Sequence, residues 1–343
     1  MIVAMKADAT PEEIAQVIDR ISSYNLKALN MPGGERTAIG IASAIPPGLR
    51  GTLTEVLETM PGVDHVTQVS RTYKLASREF HPADTVVTVK GVSIGGNEVV
   101  VAAGPCAIES RDQLFAAAEA VRGAGGKILR GGAFKPRTSP YSFQGLGLEG
   151  LKLLKEAGDL TGLATVTEIM DQHDLDAVVE HADILQIGAR NMQNYPLLTA
   201  VGRVEHPVII KRGPSAPIDE WLLAAEYVLA QGNSRVILCE RGVHPLDRDH
   251  TRYTLDLSAV PVAKFLSHLP VIVDPSHACG TWRYVAAMSR AAVAAGADGL
   301  LMEIHPDPSA ALCDGAQALR LESFTALMSD LRKVAEAVGR SMA

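Results

Sequence analysis

Beyond about residue 98 the chain alternates between two kinds of pattern. Short, uninterrupted apolar runs are separated by longer stretches in which apolar residues recur every three or four positions. The first kind predicts strands buried on both faces, the second helices packed by one face. Eight apolar runs occur, each with a polar ending: VVVAAGPC, KILRGG with FKPRT, LATVTE, ILQIGAR, PVIIKRG, VILCERG, VIVDPSH and LLMEIHPD. The intervening periodicity predicts helices over 111–122, 148–157, 171–180, 195–201, 219–230, 259–268, 282–294 and 319–338. Repeated strand–helix alternation implies a parallel sheet. Eight units over roughly 250 residues favour a closed (β/α)8 barrel over its rival, an open doubly wound sheet.

The first seventy residues follow a different pattern. MIVAMK reads as a strand, and 11–23 as a helix with Ile14, Val17, Ile18 and Ile21 on one face and Thr10 as N-cap. Strands are expected at 28–31 and 37–42, joined by the turn Pro32-Gly33-Gly34. A second helix over 49–60 ends at Pro61-Gly62, and a last strand runs 63–69. This βαββαβ order predicts a ferredoxin-like domain, residues 1–72, for stabilisation, oligomerisation or ligand sensing. A polar connector, 73–84, leads to a catalytic domain, 85–343. That domain opens with a hairpin turning at Gly95-Gly96-Asn97, which leaves 85–90 outside the barrel and makes 98–103 its first strand.

Composition narrows the function. A net charge of −7 argues against general nucleic-acid binding. Four cysteines in a chain this long, none arranged as CxxC, argue against a disulfide framework and suit a reducing compartment. The N-terminal stretch turns acidic before any signal-peptide core, and no apolar run approaches membrane-spanning length, so a cytoplasmic protein is expected.

The polar endings carry the chemistry: Cys106, Arg130, Glu168, Arg190, Lys211, Arg241, His277 and Glu303. Barrel enzymes build their active sites at the C-terminal strand ends. Closure makes strands 7, 8 and 1 neighbours, which gathers His277, Glu303 and Cys106, with Asp314 added by the loop after strand 8. Alone, Cys106 reads as a small buried apolar residue and His277 as a strand-end cap. Together the four offer sulfur, nitrogen and oxygen donors for a divalent Mn, Fe, Co or Zn ion. Cys279 and Cys313 are taken as bystanders, and Cys239 as core. Arg190, Lys211 and Arg241 follow adjacent strands and suit one phosphate, with backbone N–H groups near Gly188-Ala189 assisting. Arg130, Lys135, Arg137 and Thr138 form a second cationic group, for a second anion. Glu168 is a carboxylate among cations, suited to proton transfer or to positioning a cation or water.

The ordered set GPCAIES, LRGGAFKPRTSPYSFQG, VTE, QIGARNMQN, IIKRG, ERG, DPSHACG and MEIHPDP resembles the type I 3-deoxy-D-arabino-heptulosonate-7-phosphate (DAHP) synthases, in the group close to the octulosonate-phosphate synthases. The likeness covers about residues 83–343, and the N-terminal unit resembles the feedback domain some members carry. The resemblance implies condensation of phosphoenolpyruvate with erythrose 4-phosphate, the first step of the shikimate pathway. It assigns Cys106, His277, Glu303 and Asp314 to a divalent metal ion. It assigns Arg130, Lys135, Glu168, Ala189, Arg190, Lys211, Arg241 and His277 to phosphoenolpyruvate. Pro136, Arg137, Thr138, Asp274 and Asp314 fall to erythrose 4-phosphate, with Asp274 alternatively supporting His277. Lys135, Cys106 and His277 would be the catalytic groups. It further implies inhibition by tyrosine or phenylalanine and a homotetramer or homodimer. The rival is the octulosonate-phosphate synthase reaction with arabinose 5-phosphate. Its enzymes typically read KANRS where this chain reads KPRTS. A non-catalytic binding barrel is the remaining alternative.

Overall fold

The computed structural model describes residues 1–33, 36–41, 43, 45–67, 72–137, 139–247 and 249–343. Two compact units emerge: Met1–Ala83 with Leu266–His268, and Asp84–Phe265 with Leu269–Ala343.

The first unit has the order β1 (Ile2–Met5), α1 (Pro11–Ser22), β2 (Ala28–Pro32), β3 (Thr37–Ile41), α2 (Pro47–Glu58) and β4 (Val63–Thr67). Its strands pair antiparallel in the order β2-β3-β1-β4, the ferredoxin-like arrangement expected. A capping box starts α1. Glu13 N donates to Thr10 Oγ1 at 3.2 Å, and Thr10 N donates to Glu13 Oε2 at 2.8 Å. Val17 and Ile21 then bury fully against Val3, Ile39 and Leu53. Gly34, in the expected β2–β3 turn, and Val69, at the end of the expected last strand, lie outside the described residues. The stretch after β4 is less of a connector than its polarity suggests. Tyr73, Leu75, Ala76 and Phe80 are buried. A Cβ on Gly40 of β3 would fall 1.6 Å from the Phe80 ring, so Phe80 lies against the sheet where only glycine leaves room.

The second unit opens with the hairpin β5 (Val87–Val89) and β6 (Val92–Ile94). Its turn is Lys90-Gly91, not Gly95-Gly96-Asn97. Both turn residues have positive φ (43° and 77°), which suits the tight two-residue loop that matches strand twist. Gly95–Asn97 instead form the lead into the barrel.

Eight parallel strands follow: β7 (Val100–Gly104), β8 (Ile128–Arg130), β9 (Ala164–Ile169), β10 (Ile184–Ile187), β11 (Val208–Lys211), β12 (Val236–Glu240), β13 (Val271–Val273) and β14 (Gly299–Glu303). β14 pairs with β7 and closes the barrel. The helices are α3 (Arg111–Gly123), α4 (Leu148–Thr161), α5 (Leu175–His181), α6 (Tyr195–Val201), α7 (Ile218–Leu229), α8 (Ala259–Leu266), α9 (Pro275–Cys279), α10 (Trp282–Ala294) and α11 (Leu321–Ala337). The expected helix over 171–180 begins instead with a tighter turn, Gln172–Asp174, started by the Asp171 side chain. The five-residue α9 was not anticipated, because one turn is too short to show periodicity.

Val87, Val89 and Ile94 of the hairpin share one apolar cluster with Val100, Ile128, Ala164 and Ile184, the first residues of β7 to β10. The hairpin thus plugs the N-terminal end of the barrel, and the open end is the one to which the polar strand endings point. Among the described residues, no helix is long and apolar enough to cross a membrane.

Candidate active site

A cavity of about 340 Å³ occupies the C-terminal mouth of the barrel. Its lining comes from strand ends and the loops beyond them. Arg130 is the last residue of β8, Lys211 the last of β11, and Arg241 directly follows β12. Lys135, Pro136 and Arg137 come from the β8–α4 loop, and Ala189 and Arg190 from the turn after β10. All of these line the cavity, as do Glu168, His277 and Asp314. Cys106, Asp274 and Glu303 lie beneath it, and Thr138 lies outside the described residues.

Four donor atoms converge on the floor. Those of Cys106, His277, Glu303 and Asp314 all lie within 4.8 Å of one another. Each arrives by a different route. β14 delivers Glu303, the loop after β7 Cys106, and the β14–α11 loop Asp314, whose φ of 50° turns the chain sharply there. His277 rides on α9, which Asp274 caps by accepting from His277 N at 2.9 Å. The other Asp274 oxygen lies 2.7 Å from His277 Nδ1, so Nε2 faces Glu303 Oε1 at 3.3 Å. Asp274 also holds the Lys211 ammonium at 2.6 Å. It is fully buried with both oxygens engaged, which favours support of His277 over direct contact with a sugar. Burial alone would raise the Asp274 carboxyl, but His277 and Lys211 hold it well below the usual carboxylate range. His277 shows the converse. Burial opposes its charge, yet Asp274 and Glu303 raise it above an ordinary imidazole.

Glu303 is fully buried and accepts from Arg130 Nη1 at 3.0 Å and from Gln317 Nε2 at 2.6 Å. Burial would raise its carboxyl, but His277, Arg130 and Lys135 bring it down. Lys135 Nζ lies 3.0 Å from the Cys106 carbonyl and 3.1 Å from Sγ. The hydrogen bond with Cys313, reinforced by burial and by Glu303, pushes the Cys106 thiol well above its ordinary value. A cation among these donors would reverse that preference and favour the thiolate. Borderline donors so close together suit a divalent transition metal or zinc.

The opposite wall is cationic. Arg241 stacks 4.1 Å over the Tyr253 ring, and its buried Nη1 has no hydrogen-bond partner, alone in this among the buried side-chain nitrogens and oxygens of the described residues. Arg190 Nη1 donates to the Pro136 carbonyl at 3.1 Å. Behind Lys211 and Arg241, Arg212 bridges Glu240 and Asp256 at 3.0 and 2.9 Å, locking the two strand ends together. Glu168 sits against Gly188, where a Cβ would fall 1.9 Å from Glu168 Oε1, so the glycine lets the carboxylate lie directly on the backbone.

Sequence reasoning missed several participants. Cys313, taken as a bystander, lines the cavity with its sulfur 3.4 Å from Cys106 Sγ and 2.6 Å from Arg137 Nη1. Arg252 and Tyr253 arrive on the loop after β12, which has no periodicity to mark it. Gln186 lines the cavity from within β10, and a lone amide in an apolar run was the signal for it. Cys239 is core, as expected.

Fold and cavity together define a (β/α)8-barrel enzyme whose open end is built for small anions. The chain belongs to the DAHP synthetase I family, whose profile matches residues 82–339. The profile of the DAHP synthase ferredoxin-like domain matches residues 1–71. Phospho-2-dehydro-3-deoxyheptonate aldolase of Thermotoga maritima is 48% identical over 339 residues, 99% of each chain. The 2-dehydro-3-deoxyphosphooctonate aldolase of Syntrophotalea carbinolica is 35% identical over 265 residues, covering 72% of this chain and 94% of its own. The crystal structure of the Thermotoga maritima DAHP synthase superposes with a TM-score of 0.79 at 46% identity, covering 100% of this chain and 99% of its own. A truncated form of that enzyme covers 78% of this chain and 98% of its own, with a TM-score of 0.74.

Proposed function

We propose that this enzyme condenses phosphoenolpyruvate with erythrose 4-phosphate and water to give 3-deoxy-D-arabino-heptulosonate 7-phosphate and inorganic phosphate, with a divalent metal ion on Cys106, His277, Glu303 and Asp314. The observation that carries the reading is the partnerless, buried Nη1 of Arg241 in a cavity it shares with Lys211 and Arg190. A buried guanidinium nitrogen without an acceptor is costly, and an anion would satisfy it.

Arg190, Lys211 and Arg241 bind the phosphate of phosphoenolpyruvate. Arg130 and Lys135 bind its carboxylate, and Arg137 with Pro136 and Thr138 receives the sugar phosphate. Holding two anions in reacting contact despite their repulsion supplies much of the acceleration. The metal ion, once bound, would supply Lewis acidity toward the aldehyde oxygen. Carbon 3 of phosphoenolpyruvate forms a bond to the aldehyde carbon, and the aldehyde oxygen takes a proton, for which the Lys135 ammonium is the donor. Water adds at carbon 2 as positive charge develops there, and Glu168 accepts its proton. The hemiketal phosphate then loses phosphate by C–O cleavage. Asp274 orients His277 and Lys211 throughout.

The matching ferredoxin-like profile and the near-complete coverage of the Thermotoga maritima relative support the four-carbon acceptor and a regulatory N-terminal unit. Binding of tyrosine or phenylalanine by that unit would inhibit the enzyme. The decisive experiment follows phosphoenolpyruvate consumption with erythrose 4-phosphate or arabinose 5-phosphate, with and without a chelator. Chelator-sensitive turnover of the four-carbon sugar is expected. Preference for the five-carbon sugar would transfer the protein to the octulosonate-phosphate reaction, and unchanged turnover after chelation would overturn the metal assignment.

A further inference from the structure

Arg212 and Arg241 each directly follow a barrel strand, β11 and β12, and both are buried, yet they are held in opposite ways. Arg212 is held by its edge. Its Nε donates to the Ala216 carbonyl at 2.9 Å, and its Nη1 to Glu240 Oε2 and Asp256 Oδ2 at 3.0 and 2.9 Å. Arg241 is held by its face. Its Cζ lies 4.1 Å from the centre of the Tyr253 ring, and its Nη1 has no hydrogen-bond partner among the described residues. The difference matters because the N–H groups of a guanidinium lie in its plane. Carboxylates and carbonyls occupy those donors, whereas an aromatic face fixes the plane and leaves them free. Arg241 and Tyr253 line the same cavity.

The ring is itself fastened on two sides. Val243 and Thr254 exchange backbone hydrogen bonds, both of 2.9 Å, which clamps residue 253 beside the strand end that carries Arg241. Tyr253 N donates to the Ala278 carbonyl in α9 at 2.9 Å. Gly242, with φ of 96°, lets the stem of the ring lie on the backbone, since a Cβ there would fall 2.6 Å from Tyr253 Cβ. A second cation, Arg252, lies 5.9 Å from the same ring, near the limit of such contacts, and donates through Nη1 to Gln317 Oε1. The face contact therefore falls chiefly on Arg241.

We propose that Tyr253 is a positioning residue for phosphoenolpyruvate: its ring holds the Arg241 guanidinium flat by the face and so keeps the edge donors, Nη1 among them, free for the phosphate. This deepens the proposed function and rests on its assignment of Arg241 to that phosphate. The aromatic face is the part of Tyr253 that acts, and the hydroxyl has no share in it.

The test titrates phosphoenolpyruvate into the full chain loaded with Mn²⁺, without sugar, by calorimetry, and follows with initial rates. Tyr253→Leu should raise the dissociation constant about 5–30-fold, the range for a partly to fully desolvated cation–π contact. KM for phosphoenolpyruvate should rise with it, while KM for erythrose 4-phosphate stays within about twofold. Tyr253→Phe keeps the face and should bind within about twofold of the wild type. In an Arg241→Ala background the ring has nothing to hold, so adding Tyr253→Leu should change kcat/KM for phosphoenolpyruvate by less than about twofold. Thermal unfolding checks each variant, and Tyr253→Met supplies the same non-aromatic test where Tyr253→Leu folds poorly. Equal losses in Tyr253→Phe and Tyr253→Leu would place the effect in the hydroxyl and overturn the proposal. An undiminished effect of Tyr253→Leu in the Arg241→Ala background would overturn it as well. Wild-type affinity in Arg241→Ala would sink the phosphate assignment and the role of the ring together. Weakened binding in Arg241→Ala beside unaltered binding in a folded Tyr253→Leu would sink the role of the ring alone, so the two readings fail separately.

Discussion

Asp274 is the residue on which the floor of the cavity turns. One carboxylate caps α9, fixes the ring of His277 and anchors Lys211. Replacing the carboxylate by an amide leaves the shape and the cap nearly intact and withdraws the ionic hold on His277 and Lys211. Asp274→Asn should therefore weaken Mn²⁺ binding by about 10–100-fold, the usual loss when the partner of a metal-bound histidine is changed. Calorimetric titration reads this directly, and affinity within twofold of the wild type would deny Asp274 its role. Arg241 makes a second residue-scale case. Its buried Nη1 awaits an acceptor, so Arg241→Ala should cost about 2–5 kcal/mol in kcat/KM for phosphoenolpyruvate, the range for truncating one partner of a buried charge pair. Initial rates at varied phosphoenolpyruvate and saturating erythrose 4-phosphate measure it. A variant with unchanged kcat/KM would show that the phosphate binds elsewhere.

Among the elements, local sequence and tertiary demand agree most visibly at α1. Thr10 and Glu13 satisfy each other's backbone donors, Pro11 starts the helix, and the apolar stripe meets the sheet. Thr10→Ala should cost about 1 kcal/mol, confined to the first unit. Thermal unfolding followed by hydrogen exchange in residues 1–83 would register it, and an equal loss of protection throughout the barrel would show that the two units do not unfold separately. The β5–β6 hairpin teaches a different lesson. Two glycine-containing turns were available, Lys90-Gly91 and Gly95-Gly96-Asn97. The choice fell to Lys90-Gly91 because closing the barrel floor needs Val87, Val89 and Ile94 on one face.

At the scale of the whole molecule, catalysis and control are expected to reside in different units. The cavity belongs wholly to the second, and the first brings a separate core of its own. A chain lacking residues 1–75 should still condense phosphoenolpyruvate with erythrose 4-phosphate and should no longer respond to tyrosine or phenylalanine. Steady-state rates with and without each amino acid decide this. Unchanged inhibition in the shortened chain would remove the regulatory role from the first unit.

The barrel was legible in the sequence because its strands are buried on both faces and its helices on one, so each leaves its own period in the chain. The chemistry at the strand ends was legible for a related reason. A polar residue terminating an apolar run must leave the core, and in a closed parallel barrel the C-terminal ends all emerge on one side. Cys106, His277, Glu303 and Asp314 could thus be grouped from their positions alone, and the structure brings their donor atoms within 4.8 Å. Contacts between loops were not legible, because loops carry no period and their close approaches depend on where the barrel closes. The pairing of Cys106 with Cys313, the stacking of Arg241 on Tyr253 and the two-sided grip of Asp274 all belong to that class. Sequence settled which groups reach the mouth of the barrel; only the folded chain decided which of them touch, since contacts among loops and strand ends are fixed by closure and packing rather than by local pattern.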